Sequence, residues 1–355
     1  MYKNRIDKLK IEMSKNNIEG VLLFGDANRN YFSGFTGEES YSLIMNDSNY
    51  FFTDSRYIEQ ANIEVKDYIN IEYKGDFIEY ICNFIKEHKI KKLGVEENIL
   101  TLSIYKAITG KIDVELYPIE NIISEIRIIK DKKEIETIKH AASLADKAFE
   151  HILNYIKAGV SEKDIALELE FYLKKIGASD LSFKTIAASG ERSSLPHGAA
   201  TEKIVKAGEF LTLDFGCIYN NYCSDMTRTV AVSSISEKMI EVYNIVLTAQ
   251  ERALKEIKPD IKASYLDSIA RDYIKEKGYG DYFGHGLGHG VGREIHEEPR
   301  ISPKGDKILK SGMIITDEPG IYLNGKFGVR IEDLILVTDD GYEVLSKSPK
   351  DLIYV

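Results

Sequence analysis

The amino-acid sequence predicts an α+β fold in two domains, and three observations lead to this prediction. The chain has 355 residues, which is enough for about two domains at roughly 100–200 residues each. Residues 1–125 alternate short strand-like and helical segments, a pattern typical of an α/β layer domain. Residues 126–355 instead place amphipathic helices between strand-like hairpins, which predicts an α+β domain.

Strands and one helix can be assigned in the first domain. The apolar runs at 20–24, 42–45 and 49–53 predict strands, as do the segments KLGVEE and VELYPI further along the chain. Residues 77–88 carry Tyr80, Ile81, Phe84 and Ile85 at helical spacing and therefore predict a helix.

Four helices are predicted in the second domain. The first covers 135–152, where apolar residues recur at steps of three and four. The second covers 161–177 with Ser161 as its N-terminal cap, and two more cover about 236–259 and 263–278. Four strand-like runs lie between and after them: FLTLDFGCIY, TRTVAVS, MIITDEPGIYL and GVRIEDLILVT.

Composition and charge exclude several classes of protein. Hydrophobic residues make up 43% of the chain, which is too many for a disordered protein. The net charge of −10 argues against a nucleic-acid partner, because such partners usually require a basic face. No segment has the roughly 18 apolar residues that span a bilayer, and no export signal begins the sequence. We therefore expect a cytoplasmic protein without nucleic-acid or membrane partners.

The three cysteines, Cys82, Cys217 and Cys223, make an odd number in a long chain. Cys217 and Cys223 could face each other across a hairpin. The favoured interpretation is that they are reduced thiols in a cytosolic protein.

The first candidate for chemistry is a pair of aspartates on a predicted hairpin. Asn220-Asn221 is a plausible two-residue turn, and in that register Asp214 faces Thr227. Asp225 is then a diagonal neighbour of Asp214 on the same face, within roughly 7–8 Å. Two carboxylates so close repel each other unless a cation lies between them. The alternative is a solvated hairpin face, which is common for aspartate.

The second candidate is the segment GHGLGHGVGREIHEEP, in which glycine occupies every second position from 284 to 292. If the segment is extended, one face carries no side chains, and another backbone or a ligand can approach it closely. The opposite face carries His285 and His289, and His296 lies just beyond. The alternative is a flexible loop with incidental histidines. Neither a dinucleotide-binding fingerprint nor a complete P-loop occurs among these glycines or in GIYLNGKF.

The third candidate is the pair Glu318 and Glu332, on the two arms of a hairpin with Asn324-Gly325 at its tip. A plain two-residue turn pairs Glu318 with Ile331 and leaves Glu332 on the wrong face. Convergence of the two glutamates therefore requires a one-residue bulge, which we predict at Pro319-Gly320. Without it, both would be ordinary surface residues.

Four carboxylates and one imidazole together fit a dinuclear metal centre. Oxygen-rich ligation favours Mn²⁺, with Co²⁺, Fe²⁺ or Zn²⁺ also possible. Two such cations can activate water and polarise a carbonyl group, which is hydrolytic chemistry.

The motifs at these positions resemble those of the pita-bread metallopeptidases, within the Xaa-Pro group of prolidase and aminopeptidase P. They are DFG (214–216), SDMTRT (224–229), GHGLGH (284–289), HEEP (296–299), TDEPG (316–320) and VRIED (329–333). NYFSGFTG and TDSRYIEQA in the first domain resemble the creatinase-type N-terminal domain of the same group. The resemblance thus implies a creatinase-like domain over 1–125 and a pita-bread catalytic domain over 126–355.

The resemblance implies a role for each matched residue. The metal ligands would be Asp214, Asp225, His289, Glu318 and Glu332. Glu318 would also accept a proton from the attacking water, and His296 would contact the substrate carbonyl. His197 would lie at the entrance of the substrate site. His285, Arg330 and Tyr322 would surround the ligands, with Arg330 orienting a carboxylate and Tyr322 facing the substrate.

The implied activity is hydrolysis of the Xaa-Pro bond at the N-terminus of dipeptides or short peptides, by a homodimer with two divalent cations, most plausibly Mn²⁺. Arg293 resembles the methionine aminopeptidase version of its motif, so that activity is the runner-up. A metal-free pita-bread protein that binds ligands, or hydrolyses creatine, is the other alternative. The sequence leaves open whether dipeptides or longer peptides are preferred.

Overall fold

A computed structural model describes residues 2–355, which divide into two units after Arg127. Helices and sheets are mixed in both units, which confirms the predicted fold class. Each unit has hydrophobic clusters of its own. No helix in residues 2–355 is both long enough and apolar enough to cross a membrane.

The first unit contains one six-stranded sheet with helices on both faces. Its strands are β1 (Gly20–Leu23), β2 (Ser40–Met45), β3 (Asn49–Thr53), β4 (Ile69–Glu72), β5 (Lys92–Val95) and β6 (Glu115–Pro118). Its helices are α1 (Tyr2–Lys15), α2 (Asp26–Ser33), α3 (Ile58–Glu64), α4 (Phe77–Glu87), α5 (Leu102–Thr109) and α6 (Glu120–Arg127). The strand order is β4-β3-β2-β1-β5-β6, with β1 parallel to β5 and antiparallel to β2.

Side chains that alternate between the two faces of β1 explain why helices cover both faces of the sheet. Leu22 packs into a cluster with residues of α4, whereas Val21 and Leu23 pack with residues of α1 and α6. The strands and the helix predicted from the sequence are confirmed. Apolar periodicity does not identify α2, α3, α5 and α6, because each has only seven or eight residues.

The second unit combines four long helices with four small sheets. The helices are α7 (Lys132–Leu153), α8 (Glu162–Lys175), α9 (Glu237–Glu256) and α10 (Ala263–Glu276). The first strands are β7 (Asp180–Leu181), β8 (Ile186–Ser189), β9 (Glu209–Phe215), β10 (Cys217–Tyr219), β11 (Tyr222–Cys223) and β12 (Met226–Val232). The remaining strands are β13 (Gly288–Gly290), β14 (Glu297–Ile301), β15 (Ile314–Asp317), β16 (Gly320–Leu323), β17 (Phe327–Arg330), β18 (Asp333–Val337) and β19 (Tyr342–Val344).

The caps of the first two long helices explain where they begin. Asp131 and Glu134 form a reciprocal capping box at the start of α7. Ser161 accepts the backbone N–H of Asp164 at the start of α8, as the sequence predicts. All four predicted helices are confirmed.

The aspartate hairpin has the predicted register. Asn220 and Asn221 both have positive φ, 47° and 63°, as a two-residue hairpin turn requires. Asp214 pairs with Thr227 across β9 and β12. The suggestion that Cys217 faces Cys223 is wrong, because Cys223 pairs with Ile218. All three cysteines are buried free thiols.

The glutamate hairpin has the predicted placement of Glu318 opposite Glu332, but a longer turn produces it instead of a bulge. Leu323 pairs with Phe327, so the turn holds three residues instead of two. Gly325 has φ 68°, and the N–H of Lys326 donates to the carbonyl of Leu323 at 2.9 Å. The predicted bulge at Pro319-Gly320 is wrong, because the register of β16 with β17 continues unchanged into β15 with β18. The extra residue lies in the turn, and it places Glu318 opposite Glu332.

Three of the four predicted strand-like runs are divided in two, whereas TRTVAVS gives the single strand β12. β9 gives way to β10 at Gly216, β15 to β16 at Glu318-Pro319, and β17 to β18 at Ile331-Glu332. The two halves belong to different sheets. At such a division the backbone leaves the hydrogen-bonding pattern of one sheet before it joins the next. Side chains at these positions can therefore converge from several sheets.

Candidate metal centre and active site

A cavity of about 460 Å³ in the second unit collects the predicted site residues. Its walls include three segments that the sequence analysis singled out, together with a loop after β8. The lining residues among the candidates are His197, Asp214, Asp225, His285, His289, His296, Glu318, Arg330 and Glu332. The predicted convergence of these distant motifs is therefore observed.

The four acidic side chains reach the cavity from the strand divisions. Asp214 lies near the end of β9, and Asp225 lies between β11 and β12, diagonal to it as the hairpin register requires. The N–H of Glu318 donates to the carbonyl of Leu287 at 2.8 Å, and that of Glu332 to the carbonyl of Thr227 at 3.1 Å. The backbone of Glu318 is therefore held by the GHGLGH segment, and that of Glu332 by β12. The two glutamates do not pair with each other through their backbones.

The glycines of the GHGLGH segment permit the close approach that the sequence predicts. A Cβ on Gly288 would lie 2.1 Å from the carbonyl oxygen of Thr316, and one on Gly290 would lie 2.1 Å from that of Glu298. The extended conformation is shorter than predicted, since β13 has three residues and its pairing with β14 shifts register. The histidines and the apolar residues of the segment consequently separate, with Leu287 and Val291 fully buried in hydrophobic clusters.

His289 is oriented toward the acidic residues. Its Nδ1 is 3.1 Å from the carbonyl oxygen of Gly290, and its Nε2 is 3.3 Å from Glu318 Oε1 and 3.6 Å from Asp225 Oδ2. A ring nitrogen bound to a backbone carbonyl leaves the other nitrogen free for a metal, which is a common arrangement of ligating histidines.

The donor set fits a divalent cation. Ligand atoms of Asp225, His289 and Glu332 lie within 4.8 Å of one another. Within residues 2–355, the buried atoms Glu332 Oε1 and Asp214 Oδ1 have no hydrogen-bond partner. Buried carboxylate oxygens without a partner are costly unless a cation or a proton compensates them. Oxygen donors with one imidazole suit Mn²⁺ and similar ions.

The electrostatics of the cluster agree with a missing positive charge. Burial raises the pKa of Asp225 well above its usual range, and the neighbouring Glu332 raises it further. Burial likewise raises the pKa of Glu332, with Glu318 adding to the effect. Burial also raises the pKa of Glu318, but the hydrogen bond and charge of His289 outweigh it and lower the value to about 2. Burial and mutual repulsion therefore favour protonation of Asp225 and Glu332.

Arg330 connects the cluster to its surroundings. Its guanidinium donates to Asp214 Oδ2 at 2.6 Å, to the Tyr322 hydroxyl at 2.8 Å and to Thr227 Oγ1 at 3.1 Å. The first bond is the carboxylate-orienting contact suggested for Arg330. The Tyr322 hydroxyl also lies 2.9 Å from His285 Nε2, and Tyr322 is only 6% exposed. This position between Arg330 and His285 differs from the substrate-facing position predicted for Tyr322.

Two threonines that the sequence analysis did not single out support the acidic residues. Thr227 Oγ1 donates to Glu332 Oε2 at 2.6 Å. Thr316 Oγ1 donates to Glu318 Oε1 at 3.1 Å and accepts the N–H of His289 at 3.0 Å. The pairing of Thr227 with Asp214 was a signal that this residue lies beside the site.

His197 and His296 are exposed residues on the cavity wall. His197 lies in the loop after β8, and the neighbouring Pro196 carbonyl accepts a bond from Arg330 at 3.2 Å. The ring of His296 lies edge-on to that of His289, with the centroids 4.4 Å apart. Partial desolvation within the cavity and the neighbouring His289 lower the pKa of His296, which favours the neutral imidazole.

Two ion pairs with buried carboxylates and partly exposed arginines hold two loops of the cavity. Glu162 accepts the N–H of Ser189 at 2.8 Å and Arg192 Nε at 2.9 Å, and Arg192 also donates to the Ala199 carbonyl at 2.5 Å. On α10, Asp267 accepts the N–H of Leu287 at 2.9 Å while paired with the next-turn Arg271. Sequence reasoning misses these residues because their partners are distant in the chain.

Comparison with known proteins agrees with this geometry. Residues 136–339 match the model of metallopeptidase family M24, and residues 5–129 match that of the creatinase/prolidase N-terminal domain. The chain is 42% identical to an Xaa-Pro dipeptidase of Pyrococcus furiosus over 353 residues, covering 99% of this chain and 100% of that protein.

Solved structures give the same result. An Xaa-Pro dipeptidase from Bacillus anthracis superposes with a TM-score of 0.97 at 46% identity, covering 100% of both chains. An X-Pro aminopeptidase from Thermotoga maritima superposes with a TM-score of 0.90 at 43% identity, covering 96% of this chain and 98% of the other. The chain therefore belongs to metallopeptidase family M24, with a creatinase-type N-terminal domain preceding a pita-bread catalytic domain, and this family implies divalent metal ions.

Proposed function

We propose that this metallopeptidase hydrolyses the Xaa-Pro bond at the N-terminus of dipeptides or short peptides with two divalent cations. The observation that carries the proposal is the convergence of four carboxylates and His289 on one cavity, with buried carboxylate oxygens that lack a protein partner. The relatives named Xaa-Pro dipeptidase and X-Pro aminopeptidase support the substrate class.

The residues that would hold the cations are Asp214, Asp225, His289, Glu318 and Glu332. Four carboxylates balance the charge of two divalent ions, and the oxygen-rich set favours Mn²⁺. When bound, such ions polarise a carbonyl group and lower the pKa of water, which is the chemistry that peptide hydrolysis needs. Arg330, Thr227 and Thr316 would keep the carboxylates oriented through the hydrogen bonds described above.

Glu318 is the candidate for the proton acceptor. As a proposed metal ligand, its carboxylate would lie beside the attacking water molecule, so it could accept a proton from that water and pass it to the leaving amine. The bond from Thr316 Oγ1 leaves its second carboxylate oxygen, Oε2, available for that role.

The two histidines of the cavity wall would act on the substrate. The lowered pKa of His296 favours the neutral imidazole, whose ring N–H could donate to the scissile carbonyl oxygen as negative charge develops there. His197 would border the ring of the proline, which has a fixed shape and no N–H. The pair His285 and Tyr322 would hold Arg330, and through it Asp214, in place.

The methionine aminopeptidase alternative rests on Arg293. The Arg293 guanidinium lies 4.5 Å from the ring centre of Tyr222, a residue that belongs to a buried hydrophobic cluster. This contact connects Arg293 to the protein interior and offers no support for a different substrate. The metal-free alternative does not account for the five proposed ligand residues that line one cavity.

Metal analysis and a peptide series test the proposal. The chelator-treated protein is reloaded separately with Mn²⁺, Co²⁺, Fe²⁺ or Zn²⁺ and assayed on an Xaa-Pro dipeptide, a longer Xaa-Pro peptide and a Met-Ala peptide. We expect metal-dependent cleavage of Xaa-Pro substrates, best with Mn²⁺ and near two ions per chain. Activity without metal, or cleavage of the Met-Ala peptide alone, would overturn the proposal.

Two matched variants locate the metal. Asp225→Asn should lose bound metal and activity, whereas Asp340→Asn, on an exposed turn, should retain both. Full activity and full metal content in Asp225→Asn would contradict the ligand assignment.

The oligomeric state and the cellular location are separate parts of the proposal. The resemblance to the Xaa-Pro group suggests a cytoplasmic homodimer. Sedimentation velocity should give a mass near twice the 40.2 kDa of the chain, and a mass of one chain at micromolar concentration would contradict this.

A further inference from the structure

We propose that the buried ion pair of Lys130 and Glu297 is a positioning device that holds the loop carrying His296 in place. This inference rests on the proposed function, in which His296 contacts the substrate carbonyl. Neither Lys130 nor Glu297 is among the residues assigned to the metal or to the substrate above.

The loop between β13 and β14 is closed by one carboxylate. Glu297 is the first residue of β14, directly after His296. Its Oε1 accepts the backbone N–H groups of Arg293 at 2.8 Å and Glu294 at 3.1 Å. The side chain of Glu297 therefore folds back over the loop that ends with His296 and holds the backbone in the middle of that loop.

The same carboxylate is anchored to the start of α7. Lys130 Nζ lies 3.2 Å from Glu297 Oε2, and the two side chains are only 1% and 7% exposed. The N–H of Lys130 donates to the Gly312 carbonyl at 2.9 Å, and the next residue, Asp131, caps α7. The backbone that carries the ammonium group is thus held by hydrogen bonds on both sides, so the Lys130 side chain can fix the carboxylate in position.

A second contact joins the middle of the loop to the same helix. Arg293 lies over the ring of Tyr222 at 4.5 Å, and the Tyr222 hydroxyl donates to Glu134 Oε1 at 2.7 Å. Glu134 is in the first turn of α7. Arg293 therefore connects the loop, through Tyr222, to the first turn of α7.

A buried ion pair is weak evidence for stability, because desolvation of both charges offsets their attraction. The ion pair of Lys130 and Glu297 instead determines where the loop that carries His296 lies. The His296 ring is exposed on the cavity wall, and its edge-on contact with His289 is the one ring contact described for it. The backbone of the loop therefore has to determine where the imidazole lies.

A double-mutant cycle on kcat/KM distinguishes positioning from a general structural role. Lys130→Met should lower kcat/KM by about 10- to 100-fold, since a displacement near 1 Å can cost that much. In a His296→Ala background the same substitution should change kcat/KM by less than about threefold, because the group that it positions is absent. Metal content should be unchanged in both. Lys163→Met, which breaks an exposed pair with Glu202, is the matched control and should behave as wild type.

Hydrogen exchange supplies a readout that does not depend on activity. The amides of Arg293 and Glu294 should exchange faster in Lys130→Met than in wild type, while those of α7 stay protected. If Lys130→Met does not fold, Glu297→Gln tests the same link, with the same expected non-additivity with His296→Ala.

The outcomes separate the two proposals. Multiplicative effects of Lys130→Met and His296→Ala, loss of metal in Lys130→Met, or unchanged exchange of the loop amides would each overturn the positioning role. Absence of Xaa-Pro cleavage by the metal-loaded wild type would overturn the proposed function, and faster exchange would then still support the anchoring of the loop by Lys130.

Discussion

Substitution of Gly288 by alanine should displace the strand that presents His289. A Cβ at this position would lie 2.1 Å from the backbone carbonyl oxygen of Thr316, whereas ordinary contacts begin at 3.4 Å. The neighbouring strand β15 must therefore move away by about 1.3 Å, a movement that a backbone atom cannot avoid by rotating. Thr316 also contacts both His289 and Glu318, so two proposed ligands move with it.

The size of the effect follows from these contacts. Overpacking of this kind costs about 1–3 kcal/mol of unfolding free energy, which lowers the melting temperature by roughly 2–12 °C for a unit of this size. A shift of about 1 Å at the ligands should also lower kcat/KM by about 100-fold. Gly284→Ala is the matched control in the same motif, because nothing lies within 4 Å of its added Cβ.

The assay compares wild type, Gly288→Ala and Gly284→Ala for bound metal, melting temperature and cleavage of an Xaa-Pro dipeptide. We expect loss of metal affinity and activity in Gly288→Ala and wild-type behaviour in Gly284→Ala. Equal behaviour of the two variants, whether both active or both inactive, would refute the argument that close backbone approach at Gly288 determines the site.

Three further predictions concern the same unit. Thr227→Val removes the bond to Glu332 Oε2 and should weaken metal binding by about 10- to 100-fold, as equilibrium dialysis would measure; unchanged affinity would contradict the supporting role of Thr227. The raised pKa values of Asp225 and Glu332 mean that the metal-free folded state binds more protons than the unfolded chain above about pH 4, so its stability should fall as pH rises through the raised values. Metal binding should release these protons, and calorimetry in two buffers of different ionisation enthalpy should detect it; identical heats would count against it. Burial raises the pKa of Cys217 to about 11 and of Cys223 to about 12, so alkylation at pH 8 should be far slower in the native than in the unfolded protein; comparable rates would show that these thiols are accessible.

Local chemistry made the aspartate hairpin predictable. Two consecutive asparagines favour positive φ, and that turn type determines the register within a few residues. The diagonal relation of Asp214 and Asp225 follows from this register without any knowledge of the tertiary structure. The same reasoning failed in part at Asn324-Gly325, because the turn takes in Lys326 as a third residue and the flanking sequence does not distinguish the two turn lengths.

The division of the long strands was also beyond local reasoning. The runs around Asp214, Glu318 and Glu332 read as continuous strands, since apolar residues flank the acidic positions on both sides. They divide because each half pairs with a different sheet, and sheet membership depends on partners far away in the chain. The position of Tyr322 between His285 and Arg330 depends on the same distant packing.

The sequence by itself determined the two-domain α+β fold, the set of candidate ligands and the register of one hairpin, because apolar periodicity, turn residues and motif spacing are local properties. The tertiary structure alone decided how the second hairpin brings Glu318 opposite Glu332 and which residues hold the cavity loops. Lys130 and Glu297, for example, are 167 residues apart. Such contacts form only when separate segments pack together and exclude water, so no local sequence pattern predicts them.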